Sequence, residues 1–402
     1  MFETRMSRRH ALGLLAATPI AVATRATHAA APVRVGLIFT TSGPFASSGD
    51  IMNKAAALFM TTRSAAVLKG QAVELVVRDD GGANPEVAKR LVQELATRDR
   101  VQYLGGLQWT PNANAVGPLV TQARLPFVLM NAGAAPITRL SPYFVRTSFT
   151  TWQSSYHLGQ WAAKKGFTRV YTLVTDFAPG LDCEAAFTRG FVGPGRTISG
   201  GVRMPVQSPN FVPFLQRARD AQPDAVFAFH PGGVQTGAFM KAYAEAGLKA
   251  KGIALIGPGD LTSDEELPAI GAIAEGVITA HHYSAAGDRA ANRTFLAAWQ
   301  KAYGTGVRPN YMAVGVWDGL HAICAAIAAT GGRADVAASM RALMHFESAD
   351  SPRGPIRIDP ATRDIIQNMY IREVRMVKGQ PANVEFETIP NVKDPWKEFN
   401  PA

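Results

Sequence analysis

Two cysteines in 402 residues, Cys183 and Cys324, are too few for a disulfide-stapled scaffold, and two such distant positions permit a bridge without implying one. Charge is scarce as well: 18% of residues are charged against 47% apolar, which excludes a disordered chain. The openings of familiar catalytic sites are missing. There is no Gly-x-Ser-x-Gly elbow, no glycine-rich loop ending in Gly-Lys-Ser/Thr, and no Gly-x-Gly-x-x-Gly after the first strand-like run. Gly193-Pro194-Gly195 precedes a strand instead of following one and reads as a turn. His281-His282 has no Cys, Asp or Glu at ligand spacing, and neighbours in a strand point to opposite faces, so the pair reads as structural or hinge-lining, not as a metal site. Basic residues are scattered, with no basic-aromatic ribbon or zinc module, which argues against a nucleic-acid partner despite a formal charge of +10. These absences exclude most enzyme classes and imply no cofactor.

What is present begins with an export signal. Ser7-Arg8-Arg9 opens an apolar run from Leu12 to Val22 that ends in small residues near Ala29. This is the pattern of a twin-arginine signal peptide over residues 1–29, cleaved after Ala29. Arg5, Arg8, Arg9 and Arg25 against Glu3 contribute +3 of the formal +10, leaving +7 on the mature chain. The apolar run is about half the ~20 residues needed to span a bilayer, and no later stretch is expected to do so. The mature protein is therefore expected to be soluble and periplasmic.

A chain of this length exceeds what one core usually serves, since single cores stop growing near ~250–300 residues, so two lobes are expected. Strand-like runs at Val33–Phe39, Val73–Val77, Val101–Gly105 and Pro126–Met130 alternate with helical stretches, and the alternation restarts after Arg146 with strands at Val170–Val174, Gly201–Met204, Ala225–Phe229 and Ile253–Ile256. Alternation of this kind implies βαβ crossovers and parallel sheets, hence an α/β fold of two doubly wound lobes. Met369–Val374 reads as a late strand. Trp152, Trp161, Trp299 and Trp317 fall on predicted helices and read as packing residues.

In open parallel sheets, ligands sit beyond the carboxyl ends of the strands, where loops and helix N-termini converge. The loops expected there are Thr41–Pro44, Leu107–Thr110, Asn131–Ala134, Thr175–Gly180, His230–Gly233 and Gly257–Asp260. They are rich in glycine, proline, small polar residues and single aromatics. That composition suits binding: backbone N–H groups can approach a ligand, helix N-termini favour a carboxylate, and an aromatic ring offers a flat wall.

Val35-Gly36-Leu37-Ile38 followed by Ser42-Gly43-Pro44, then Ser48-Gly49-Asp50, Arg78-Asp79-Asp80 with Pro85 behind it, and Pro223-Asp224-Ala225-Val226 occur in an order and spacing that are specific together. Over the whole mature chain the sequence resembles the branched-chain amino-acid-binding (Leu/Ile/Val-binding) family of periplasmic receptors of ABC transporters. The resemblance implies a type I periplasmic binding fold, two lobes joined by three crossing strands. The crossings are expected near Val145–Thr147, Ala280–His282 and Arg357-Ile358, with lobe 1 at 32–146 and 283–357 and lobe 2 at 147–282 and 358–402. It also implies a permease and its ATPase subunits as partners, and a monomeric receptor that closes on its ligand without chemistry.

Carried onto this sequence, the resemblance marks Gln108, Trp109, Thr110, Asn131, Ala132 and Gly133 as holding a ligand carboxylate, and Ser48, Phe177, His230 and Tyr311 as walling the pocket, with Ser42 and Asp260 beside them. Amino-acid receptors of the family place an acidic residue after Gly-Pro to meet the ligand ammonium. Here that position is Gly259, with Asp260 adjacent. A buried ammonium without a partner costs several kcal/mol. The set Gln108, Trp109, Phe177, His230 and Tyr311 resembles the subgroup that binds aromatic carboxylates, and this ligand class is favoured. The alternatives are a branched-chain or other amino acid bound through Asp260, and a ligand-sensing module of a signalling system, which sequence alone does not separate from a transport receptor.

Overall fold

The computed structural model describes residues 31–206, 210–233 and 235–401. The twin-arginine segment lies outside them. From Pro32 onward the chain forms one compact unit containing two α/β lobes, each built on a parallel sheet.

The first sheet comprises β1 (Val33–Phe39), β2 (Val73–Asp79), β3 (Tyr103–Gly106), β4 (Phe127–Leu129) and β5 (Phe144–Arg146). They run parallel in the order β2-β1-β3-β4-β5. The crossovers are α1 (Ala46–Thr62) with α2 (Ser64–Leu68), α3 (Pro85–Thr97) and α4 (Thr110–Ala123). Helix α3 starts where the sequence signals it: Pro85 occupies the first turn and the Asn84 side chain accepts from the Val87 N–H at 3.3 Å. Gly49 in α1 is dictated by packing, because a Cβ there would lie 1.9 Å from the Thr40 carbonyl oxygen.

The second sheet is built by α5 (Thr151–Lys164), β6 (Arg169–Thr175), α6 (Ala178–Phe191), β7 (Thr197–Met204), α7 (Val212–Asp220), β8 (Ala225–Phe229), α8 (Gln235–Glu245), β9 (Ala254–Pro258), α9 (Leu267–Ile270) and β10 (Ile278–His281). Strands β7, β6, β8, β9 and β10 are successive parallel neighbours. The chain then supplies α10 (Ala290–Tyr303), α11 (Tyr311–Thr330) and α12 (Val336–Met344), and α11 packs on β3 and β4 of the first sheet. It returns through the short strands β11 (Glu347–Ser348) and β12 (Ile356–Ile358) to β13 (Ile365–Val377), which pairs antiparallel with β10. Strand β14 (Gln380–Val392) folds back on β13, and α13 (Pro395–Phe399) ends the chain. The polypeptide thus leaves the first sheet after β5 and the second after β10, and rejoins the second after α12, where β11 and β12 extend that sheet beside β13, ahead of the third crossing expected at Arg357-Ile358.

Two expectations are corrected. Helix α11, 20 residues with a mean hydropathy of 1.6, is long and apolar enough to cross a membrane, although no stretch after the signal was expected to be. Its apolarity has another cause: it is buried among α1, α2, α12 and the first sheet, and a helix covered on all sides needs no polar face. The late strand is twice the expected length and carries a hairpin partner. Its turn was signalled by Lys378-Gly379, both with positive φ (51° and 77°), as a two-residue hairpin of type I′ demands. The two cysteines are free and belong to different cores, Cys183 with Phe187 and Phe191, Cys324 with Ile323 and Ile327.

A buried hub ties the crossings together. Arg353 donates to Asp318 on α11 (2.8 Å), to the Ser148 carbonyl after β5 (2.8 Å), and to Gln367 on β13 (2.8 Å). Beside it, Arg146 at the end of β5 pairs with Asp364 at 3.1 Å. Both guanidiniums are buried.

Candidate functional site

A cavity with about 450 Å³ of atom-free space, part of it open to solvent, lies where the carboxyl ends of the two sheets face one another. From the first lobe it is lined by Gln108, Trp109 and Thr110 after β3, Asn131 and Gly133 after β4, and Tyr311 and Met312 at the start of α11. Phe149 and Thr151 follow β5 on the first crossing, and the second lobe adds Phe177, Pro179, Phe229, Pro231 and Asp260. Four helices, α4, α5, α6 and α11, begin at its wall.

Two of those N-termini are already satisfied. Thr150 and Gln153 form a capping box on α5, and the Asn310 side chain accepts from Met312 and Ala313 N–H at 2.9 and 3.0 Å on α11. Helices α4 and α6 have no side-chain cap. Their first-turn dipoles therefore remain available to an anion.

Trp109 is held by a chain of hydrogen bonds. Its indole Nε1 donates to Thr40 Oγ1 (2.9 Å), Thr40 donates to Asp80 Oδ1 (2.7 Å), and Asp80 Oδ2 accepts from Asn112 on α4 (2.9 Å). Burial raises the Asp80 carboxyl above its ordinary pKa while these donors oppose the rise. Phe45 meets the indole edge-on at 4.6 Å. On the second lobe, Phe177 and Phe229 stack with centroids 6.0 Å apart.

Among the described residues, three oxygens of cavity-lining side chains are buried without a hydrogen-bond partner: Gln108 Oε1, Asn131 Oδ1 and Asp260 Oδ2. The Asn131 amide donates to the Gln108 carbonyl at 3.0 Å. Asp260 Oδ1 accepts from the Tyr311 hydroxyl at 2.9 Å, and burial lifts the Asp260 carboxyl to about 6. Further bonds cross between lobes nearby: Asn310 to Glu265 at 2.7 Å, and the Ala135 N–H to Asp182 Oδ2 at 3.0 Å. An arrangement of this kind can bind, orient and desolvate a small flat anion. Among the described residues no group of three or more His, Cys, Asp or Glu is placed to hold a metal.

The structure brings together Gln108, Trp109, Thr110, Asn131, Gly133, Phe177, Asp260 and Tyr311 around this cavity. Ser42, Ser48, Ala132 and His230 do not line it. Ser42 is exposed and lies beside the Asp79–Gly81 turn. Ser48 is buried in the first turn of α1, and the Ala132 N–H is spent on the Leu107 carbonyl at 3.0 Å. His230, expected to face the cleft, is fully buried against Phe211 and Phe239, with Nδ1 accepting from the Gly232 N–H at 3.2 Å. That burial pushes its pKa down to about 4.

His281 and His282 were expected on opposite faces of a strand. They lie instead with ring centroids 4.4 Å apart, because β10 ends at His281 and alternation ends with it. Gly259 has a steric reason of its own: a Cβ there would lie 2.0 Å from His281 Cδ2 and 2.5 Å from Arg372 Nη2. Sequence reasoning missed Phe149, Thr151, Phe229 and Met312, and marked Pro179 and Pro231 only as members of their loops. For Thr151 a signal existed in Thr150-x-x-Gln153, which marks a helix N-terminus at the cleft.

A family model described as periplasmic binding protein matches residues 32–381. The Leu/Ile/Val-binding protein homolog 6 of Brucella abortus is 42% identical over 384 residues, covering 95% of this chain and 98% of that protein. Among solved structures, a solute-binding protein of an ABC transporter from Rhodopseudomonas palustris BisB5, in complex with 3,4-dihydroxybenzoic acid, is 46% identical with a TM-score of 0.87, over 91% of this chain and 99% of that one. A second R. palustris solute-binding protein, in complex with 4-hydroxybenzoate, is 39% identical with a TM-score of 0.86, over 90% and 98%. With its two parallel-sheet lobes, its three passages between them and a match that spans both, the chain belongs to the periplasmic binding protein family.

Proposed function

We propose that this protein is a periplasmic receptor that captures a small aromatic carboxylate and hands it to an ABC transporter. The observation that carries the reading is the combination, in one cavity, of uncapped helix N-termini at Thr110 and Ala178, which favour an anion, with aromatic walls; the three buried acceptor oxygens without partners among the described residues call for donors, as ring hydroxyls supply. The carboxylate is read by the Gln108–Thr110 and Asn131–Gly133 segments, the ring by Trp109, Phe177 and Tyr311, and a ring hydroxyl by Asp260 Oδ2. The dihydroxybenzoate and hydroxybenzoate complexes of the two R. palustris proteins support this assignment.

Magnitudes agree with it. An aromatic contact contributes roughly 0.5–1.5 kcal/mol beyond area burial, and a charge-assisted hydrogen bond about 1.5–3 kcal/mol. Micromolar binding needs about 8 kcal/mol net, so ring and carboxylate contacts must act together with apolar burial.

Capture proceeds by closure of lobe 1 (32–146 and 283–357) on lobe 2 (147–282 and 358–402), and the closed form docks on a permease whose ATPase subunits lie across the membrane. A second reading, an amino-acid receptor, is favoured by the name of the Brucella relative and by the free oxygen of Asp260. Calorimetric titration separates the two. Benzoate, 4-hydroxybenzoate and 3,4-dihydroxybenzoate are expected to bind more tightly than leucine or phenylalanine, and the reverse order would overturn the aromatic assignment.

A further inference from the structure

Phe149 stands at the cavity wall with two buried histidines packed against it. Its ring lines the cavity that Tyr311 also lines, and neither histidine does. His282 stacks on it at 5.3 Å with 27° between ring planes, and His281 approaches edge-on at 4.9 Å. Both histidines are fully buried, and none of their four ring nitrogens has a hydrogen-bond partner among the described residues. Burial, with Arg353 and Arg372 nearby, holds both rings neutral, so each carries one donor and one acceptor. Buried polar atoms of this kind ordinarily find partners. Phe149, with Tyr311 beside it, stands between the cavity and these rings.

Phe149 is also fixed in place. Gly133 faces it so closely that a Cβ there would lie 3.1 Å from Phe149 Cε2, and Tyr311 meets its edge at 5.8 Å. The Arg146 guanidinium donates to the Phe149 carbonyl at 3.2 Å, holding the backbone from below. A ring stacked on His282, met by Tyr311 and Gly133 and held at its backbone is fixed as part of the cavity wall.

We propose that Phe149 sets the upper size of the ligand this receptor accepts, by filling the space between the cavity and the packed rings of His281 and His282. The inference rests on the aromatic-acid reading. Removing the ring would lengthen the cavity by the ring's own volume and expose neutral imidazole donors and acceptors to a longer ligand. The histidines then become part of the site. In the native protein they are the wall's backing.

The test is calorimetric titration of the full mature protein and of Phe149→Ala and Phe149→Leu with 4-hydroxybenzoate, 4-hydroxyphenylacetate and 3-(4-hydroxyphenyl)propanoate. One methylene beyond a fitted apolar pocket costs about tenfold or more. The wild type is expected to weaken by about that factor at each added carbon. Phe149→Ala should favour the propanoate over the benzoate, with Phe149→Leu between. The double variant Phe149→Ala/His282→Phe, which puts a bulkier apolar ring beside the opened space, should restore the preference for the benzoate. Should the alanine variant fail to fold, the leucine variant carries the comparison. If the wild type binds the benzoate and both single variants keep its order of preference, the size-limiting role falls alone. If the wild type binds none of the three acids, the aromatic-acid reading falls and takes this inference with it.

Discussion

Tyr311 donates its hydroxyl to Asp260 Oδ1 at 2.9 Å, joining the helix that covers the first sheet to the turn that ends β9 in the second. The bond joins the two lobes at the wall of the cavity.

Closure is therefore linked to pH. Burial lifts the Asp260 carboxyl from an ordinary value near 3.8 to about 6, and its pKa returns toward the ordinary value when the lobes part and water reaches it. Closing takes up a proton between those values, and affinity should fall as pH rises through them and level off above about 6. Benzoate, which has no hydroxyl for the ionised carboxylate, should bind about tenfold more weakly at pH 7.5 than at pH 5. In Asp260→Asn this dependence should vanish. Calorimetry at the two pH values checks both, and an unchanged pH profile in the variant would remove Asp260 from the linkage.

Trp109→Ala should weaken aromatic-acid binding by about tenfold, the loss of one stacked wall. Thr40→Val, which leaves the indole without its acceptor, should cost less and act through the same ring. Binding in the double variant no weaker than in Trp109→Ala would show that the two effects are one.

The hub at Arg353 predicts a stability effect without a binding contact. Asp318→Ala strands a buried guanidinium and should cost about 3–5 kcal/mol, read by urea denaturation. Glu74→Ala, which removes only the partner of the exposed Arg34 (2.9 Å), should leave the urea midpoint nearly unchanged.

Small-angle scattering should record a smaller radius of gyration with saturating ligand, because thin crossings near Arg146 and His281 carry the motion. An unchanged radius under confirmed binding would count against hinge closure.

Export is expected to depend on Arg8 and Arg9. Replacing both by lysine should retain precursor in the cytoplasm, and normal periplasmic levels of the double variant would refute twin-arginine dependence.

Much of the cavity was legible in the sequence for a physical reason. Parallel sheets deliver their loops to one edge, so Gln108–Thr110, Asn131, Phe177 and Asp260 could be found among the residues just after each strand. The errors came where an extra, non-local contact decides the outcome. His230 follows a strand as the rule requires, but Phe211 and Phe239 cover it. Ser42 sits in the right loop, yet that loop turns toward Asp79, whose carboxylate accepts the Thr41 and Gly81 N–H groups at 2.8 and 2.9 Å. Phe149 was missed because its segment reads as a crossing, and nothing local reveals that a crossing also forms a wall. The hairpin partner β14 was missed because its exposed positions make its alternation faint.

Gly259 bears on how this receptor could change its diet over evolutionary time. An acidic side chain at that position is the expected anchor for an amino group, and here the space it would need is held by His281 and Arg372. Arg372 is itself committed, donating to Thr279 Oγ1 at 3.0 Å and to the Tyr283 carbonyl. A single codon change that installs Asp or Glu at 259 would therefore meet a clash before it met a ligand. Amino-acid recognition through that position needs coordinated changes at His281 and Arg372 as well, and the intermediates would carry a buried charge or a void in the hinge. On the aromatic-acid reading, drift among ring acids stays open by single steps at the cavity wall, whereas an amino-group anchor at 259 does not.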